Sequence, residues 1–157
     1  MEMIFDANVL RQSGYYKWYA PEEVYEEILT NLGLDIDDAK KHTDNKKIDK
    51  KNYYGIYLGI AEGQPLIHRI GKHLYNSFDS STLRKSIAAV YETRDNTVIN
   101  NFIDKLKVQL FYETDIDLHD TERQLLLENF YVLNIQGNGA WADKIALLKQ
   151  RRRALFG

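Results

Sequence analysis

The aspartate that closes the first apolar run constrains this chain more than any other residue. Met1 to Leu10 reads MEMIFDANVL, in which Ile4 and Phe5 end a short strand and Asp6 stands where that strand opens into a cleft. A carboxylate at the C-terminal end of a buried strand is where open α/β sheets gather ligands and metals. Asn8, Val9 and Leu10 then lead into a turn or helix. The expectation is an α/β fold with chemistry at its strand ends.

The rest of the chain divides by periodicity. Tyr15 to Tyr19 reads as a second strand. Pro21 opens a helix at its favoured first-turn position, and Glu22 and Glu23 suit the positive helix end. Val24, Ile28, Leu29 and Leu32 give that helix one apolar face, and Gly33 ends it. Residues 35–51 read as a mixed-charge linker or a solvated helix, anchored only by Ile36 and Ile48. From Asn52 the spacing predicts helices, so that 52–106 reads as a helical insert or a set of core helices. The stretch Tyr53 to Ala61 is the first, Leu66, Ile70 and Leu74 mark the second, and Leu83, Ile87, Val90 and Tyr91 the third. A fourth carries Val98, Phe102 and Leu106 behind an Asn96 cap. Lys107 to Phe111 returns to strand, and Asp117 and Asp120 have capping-box spacing ahead of a helix reaching Phe130. Tyr131 to Ile135 reads as a further strand, Gly137-Asn138-Gly139 as a turn, and Trp141, Ile145 and Leu148 mark a last helix. The organisation expected is one helix-rich α/β domain over 1–157. An all-α helical bundle is the alternative.

Composition narrows the chemistry. The chain has 157 residues, enough for one domain with a sizeable core, and 44% are apolar against 28% charged. The formal net charge of −2 gives no global pull toward nucleic acid and leaves room for a local basic patch. There are no cysteines, which excludes disulfide scaffolds, thiolate zinc sites and thiol catalysis. No apolar run reaches the length of a membrane span and no signal pattern opens the chain, so a cytoplasmic protein without a membrane partner is expected. Eleven tyrosines stand out. Tyr15, Tyr16 and Tyr19 with Trp18, and Tyr53, Tyr54 and Tyr57, read either as half-buried rings or as platforms for bases.

The acids form a constellation. Asp6 follows the first strand and Glu27 lies on the helix of PEEVYEEI. The segment DIDLHDTE offers Asp115, Asp117, His119, Asp120 and Glu122, and Asn138 follows YVLNI. If their strands are neighbours in a parallel sheet, three or four oxygen ligands share one cleft. That set suits Mg2+ or Mn2+, and its direct chemical use is metal-bound water attacking a phosphodiester. Local roles compete at each position. Asp6 with Asn8 can cap a turn, the glutamates can form a solvated helix face, and Asp117 with Asp120 can be only a cap.

FDANVL is similar to the opening of PIN-domain nucleases, YAPEEVYEEI resembles that family's second element, and HDTERQLLLENFYVLNIQGN its third and fourth. The resemblance implies a metal-dependent ribonuclease cleaving RNA phosphodiesters, with Asp6, Glu27 and Asp120 as catalytic residues. Those three and Asn138 would hold Mg2+ or Mn2+. The chain departs from that pattern in the close spacing of its first two acids and in the long stretch from Ile28 to Lys107. Lys149, Arg151, Arg152 and Arg153 are the expected nucleic-acid-binding residues, although cations there also complement the negative end of the last helix. Leu155 and Phe156 suggest a tail that docks on a protein partner or a second copy.

The competing function is non-catalytic. LRKSIAAVYETRDNTVINNFIDKL has the outline of a helix-turn-helix over 83–106, with Thr97, Asn100, Asn101 and Lys105 facing a DNA groove, in a mostly helical binding or assembly protein. Paired helices of this spacing also arise from ordinary core packing. His68 and His73 lie five residues apart on one helix, a poor spacing for zinc.

Overall fold

Two long antiparallel strands, β2 (Gly14–Pro21) and β4 (Lys51–Ala61), carry the middle of the molecule. The computed structural model describes residues 1–5, 9–113 and 116–157. Around the central pair a five-stranded sheet is completed by β1 (Glu2–Ile4), β3 (Asn45–Ile48) and β5 (Lys107–Phe111), in the order β1-β5-β2-β4-β3. Only β1 and β5 are parallel; the other pairs run antiparallel. The seven helices among the described residues are α1 (Glu22–Asn31), α2 (Ile36–Lys41), α3 (Leu66–Leu74), α4 (Thr82–Tyr91), α5 (Asn96–Ile103), α6 (Leu118–Glu128) and α7 (Ala146–Phe156). The expected α/β domain is present, and the all-α alternative is not.

Three expectations need correction. Tyr53 to Ala61 is strand, not helix. Its residues are buried on both faces, so the alternation that signals a strand is erased, and an unbroken apolar run cannot be told from a buried helix by period alone. The linker over 35–51 holds α2, capped by the Asp35 side chain, and β3. A two-residue turn at Asp49–Lys50 joins β3 to β4, and both residues have positive φ, 51° and 67°, as a type I′ hairpin requires. Tyr131 to Ile135 forms no strand; it is an irregular segment lying along β4.

That segment covers part of the β4 edge that β3 leaves bare, since β3 pairs only with Lys51–Tyr54. Further along, the Leu133 amide donates to the Ile56 carbonyl at 2.9 Å, beside a bulge that shifts the β2–β4 register between Trp18 and Tyr19. The Asn134 side-chain amide then engages both backbone groups of Leu58, accepting from its N–H and donating to its carbonyl, each at 2.8 Å.

The alternation along β2 sorts the core into two layers. Tyr16, Trp18 and Ala20 join Ile28 and Leu29 of α1, Leu66 and Ile70 of α3, Ile87 of α4 and Phe102 of α5. On the opposite face Tyr15 and Leu58 meet Leu126 of α6 and Tyr131. The sheet therefore separates α1 from α6.

Candidate active site

The space above Gly59 creates the site. Tyr16 and Gly59 are register partners on β2 and β4, and a Cβ on Gly59 would stand 2.3 Å from the Tyr16 phenol carbon and oxygen. With no side chain there, the Tyr16 ring crosses its neighbour strand and delivers its hydroxyl to the mouth of a cleft of about 270 Å³. Tyr57, Arg69, Glu122, Asn134 and Arg152 line the same cleft. Gly14 serves a similar end one residue before Tyr15, since a Cβ there would meet the Phe111 carbonyl at 2.2 Å.

Behind Tyr16 lies a buried relay. The Tyr16 hydroxyl is 2.7 Å from His73 Nε2, and His73 Nδ1 is 2.7 Å from Ser81 Oγ. Ser81 also caps α4, its Oγ accepting from the Arg84 amide at 3.1 Å. Arg84 in turn donates to the His73 carbonyl and to the side-chain oxygens of Asn96 and Asn100. His73 thus sits at the C-terminal end of α3, fixed through both ring nitrogens and its carbonyl. Burial, and then the charges of Arg69, Arg84 and Lys72, push its pKa down to about 3, so the imidazole is neutral at pH 7. Two tautomers satisfy this chain of hydrogen bonds. In one, Nδ1–H donates to Ser81 and Nε2 accepts the Tyr16 proton. In the other, Ser81 donates, and the Tyr16 proton is free to point into the cleft.

The remaining groups set the polarity of the cavity. Burial raises the Tyr16 hydroxyl well above its ordinary pKa, while the charge of Arg69 and its hydrogen bond act in the opposite direction. Tyr57 bonds the Thr82 hydroxyl at the start of α4 and is likewise raised by burial. Glu122, on α6, is half-buried, and desolvation raises its carboxyl against the pull of His119. Arg152, from α7, is half-buried and reaches Ser86. The cleft holds a carboxylate, two guanidinium groups, two phenols and a neutral imidazole behind them.

The structure distributes the sequence-derived site residues widely. Asp6 lies outside the described residues, as does Asp115. Glu27 is exposed on α1 and meets the Tyr91 hydroxyl. Asp120 is exposed in the first turn of α6, where its amide donates to the Asp117 cap and its carboxylate pairs with Arg123. Glu27 and Asp120 stand on opposite sides of the sheet and are not brought together. Asn138 is buried and donates to the Tyr131 and Asn134 carbonyls; its Oδ1 has no partner among the described residues. Among the described residues, no group of three His, Asp or Glu side chains is placed to share a metal. In the helix-turn-helix outline, Asn100 binds Arg84 and Asn76, so its amide is taken up inside the fold. Glu122 was within the acidic segment that the sequence singled out, whereas Tyr16, Tyr57 and Asn134 were missed as site residues. Two tyrosine-rich runs, each holding a glycine, were the available signal.

Residues 14–154 match the model of the GIY-YIG catalytic domain. The chain belongs to that family, and the family indicates a nuclease. Gly14-Tyr15-Tyr16 and Tyr57-Leu58-Gly59 keep the bracketing glycine and tyrosine of the two tripeptides in its name, and the two lie side by side on β2 and β4. No curated protein and no solved structure matched the chain. The PIN resemblance is overturned: the matching family is a different nuclease superfamily, and the sheet is mostly antiparallel. A nuclease implies a nucleic-acid partner. No helix among the described residues is long and apolar enough to cross a membrane.

Nucleases of this family are commonly metal-dependent. The donor set fits such an ion. Mg2+ binds through one or two carboxylates together with water and substrate phosphate, and Glu122 offers a desolvated carboxylate facing a cavity.

Proposed function

We propose that the cleft hydrolyses a phosphodiester bond of a nucleic acid, with Tyr16 as the group that receives the proton of the attacking water. The observation that carries this reading is the 2.7 Å contact between the Tyr16 hydroxyl and His73 Nε2 at the wall of a cavity shared with Arg69 and Glu122. As water attacks phosphorus, its proton passes to Tyr16 Oη while the Tyr16 proton passes to His73 Nε2, and Nδ1–H remains on Ser81. The bond to the leaving oxygen breaks, that oxygen leaves as the alcohol by taking a proton from water, and the proton held on His73 returns through Tyr16 to the hydroxide left behind. Burial is the main cause of the low His73 pKa, and an anionic phosphate in the cleft counters the cations that lower it further, which strengthens the imidazole as a proton acceptor when substrate is bound. Arg69 and Arg152 hold the phosphate oxygens, whose charge grows in the transition state. Glu122 would hold a divalent ion, whose charge would neutralise the anionic phosphate. The expectation of RNA rested on the PIN resemblance; the choice between RNA and DNA is now an outcome of the assay.

The test is cleavage of labelled single- and double-stranded DNA and RNA with Mg2+, with Mn2+ or with chelator, by the native chain and by Tyr16→Phe and Glu122→Gln. Metal-dependent cleavage lost in both variants, with unchanged thermal unfolding, supports the assignment. Full activity in Tyr16→Phe removes Tyr16 from the mechanism.

A further inference from the structure

A second cleft of about 290 Å³ adjoins the first, with Arg152 and Ile135 lining both. Its other walls are Lys85 of α4 and Lys149, Arg153 and Phe156 of α7, together with Gly157, and among the described residues no acidic side chain lines it. We propose that this cleft is a backbone-phosphate site that carries the substrate strand away from the scissile bond. This rests on the catalytic reading of the neighbouring cavity.

Three observations support it. Lys149, Arg152, Arg153 and Phe156 have i, i+3, i+4, i+7 spacing, so one face of α7 presents the cations together. Arg151 is turned off that face, donating to the Val90 carbonyl at 3.2 Å and lying 3.6 Å from Glu92. The arginine run is thus divided between a residue that fastens α7 to α4 and residues that face the cleft. Second, the macrodipole of α7 accounts for cations near its own C-terminus but not for Lys85. That residue is the fourth of α4, near the positive helix end, where a cation gains nothing from the dipole and is held over the Phe156 ring instead. Third, the Phe156 ring is already engaged, with Lys85 and Arg94 at 5.7 and 5.1 Å from its centroid and Phe78 packed at 4.9 Å. It braces the cations and leaves little face for a base, which favours contacts to phosphate over contacts to sequence. Along α7, Lys149 to Phe156 spans about 10 Å, roughly the rise of three nucleotides.

The experiment is binding of a fluorescein-labelled, mixed-sequence single-stranded oligonucleotide, read by anisotropy in chelator over a range of salt. The native chain is compared with Lys85→Glu/Lys149→Glu/Arg153→Glu and with a control, Lys47→Glu/Lys50→Glu, on the exposed β3–β4 turn. The cleft variant is expected to bind about 10- to 100-fold more weakly and to lose about 2 from the log–log salt slope, with the control near native. Equal losses in control and cleft variants, an unchanged salt slope, or no binding by the native chain at low salt overturns the proposal. A milder Lys149→Gln/Arg153→Gln variant, expected to lose about 1 from the slope, replaces the triple variant if that one fails to fold. Because chelator stops cleavage, binding lost in the cleft variant of a chain that never cleaves would keep the phosphate site and reject the catalytic reading. Cleavage with unaltered binding would do the reverse.

Discussion

Successive residues of β2 project onto two polar clusters of opposite design. On one face Lys17 pairs with Asp44 at 2.8 Å, Tyr19 donates to the same carboxylate at 3.0 Å, and the rings of Phe111 and Tyr131 flank the ammonium. The Lys17 and Asp44 charges there are in direct contact. On the other face Tyr16 leads to an imidazole held neutral by burial and three nearby cations, and the Glu122 carboxylate lines the same cavity. The first cluster is complete without a ligand, whereas the second keeps its charges apart. Charges that could cancel and do not are the mark of a site prepared for a partner.

The sharpest way to break this contrast is to remove one carboxylate from each side. Glu122→Gln should lower the cleavage rate by about 10³-fold, or about 4 kcal/mol, while thermal unfolding stays the same or rises, because a desolvated carboxyl has been neutralised. Filling the gap over Gly59 comes next. Gly59→Ala places a methyl 2.3 Å from the Tyr16 phenol and should cost about 2 kcal/mol of stability as well as most of the activity, measured by denaturant unfolding and cleavage. Asp44→Asn should cost about 2 kcal/mol of stability, discounted for partial exposure, with cleavage per folded molecule retained. Equal loss of cleavage in Asp44→Asn and Glu122→Gln would erase the distinction between the faces.

The smallest expected effect is in pH dependence. His73 has its pKa depressed to about 3 in the folded chain, so between there and about pH 6.5 the unfolded chain binds a proton that the native one refuses. Stability should therefore fall as pH falls through that window, by up to about 1.4 kcal/mol per unit. Unfolding midpoints between about pH 5 and 6.5, above most carboxylates, isolate the effect. His73→Phe should flatten the slope there, and an unchanged slope would show that the imidazole is not held neutral.

Local rules carried much of the secondary structure. Pro21 and its two glutamates do open α1, the Asp117 side chain does cap α6, and Lys107–Phe111 is a strand beside the one preceding Asp6. β4 was opaque because a strand buried on both faces has no period to read. Glu122 stood inside the acidic segment, but nothing local separates it from Asp120 two residues earlier; the difference is which side of α6 meets β4. Tyr16 was hidden for another reason. Its role depends on the missing side chain of Gly59 and on a histidine 57 residues further along, and such long-range pairings leave no mark in one sequence.

The hydrogen bonds of Asn134 have a consequence for how the chain keeps to itself. Past Tyr54 the outer rim of β4 would be a row of bare amides and carbonyls, a template for pairing with another molecule. One side chain with a donor and an acceptor occupies that template at Leu58, where a whole strand would otherwise be needed. Removing it exposes sticky backbone beside the Tyr16 cleft, so loss of Asn134 should show itself first as aggregation.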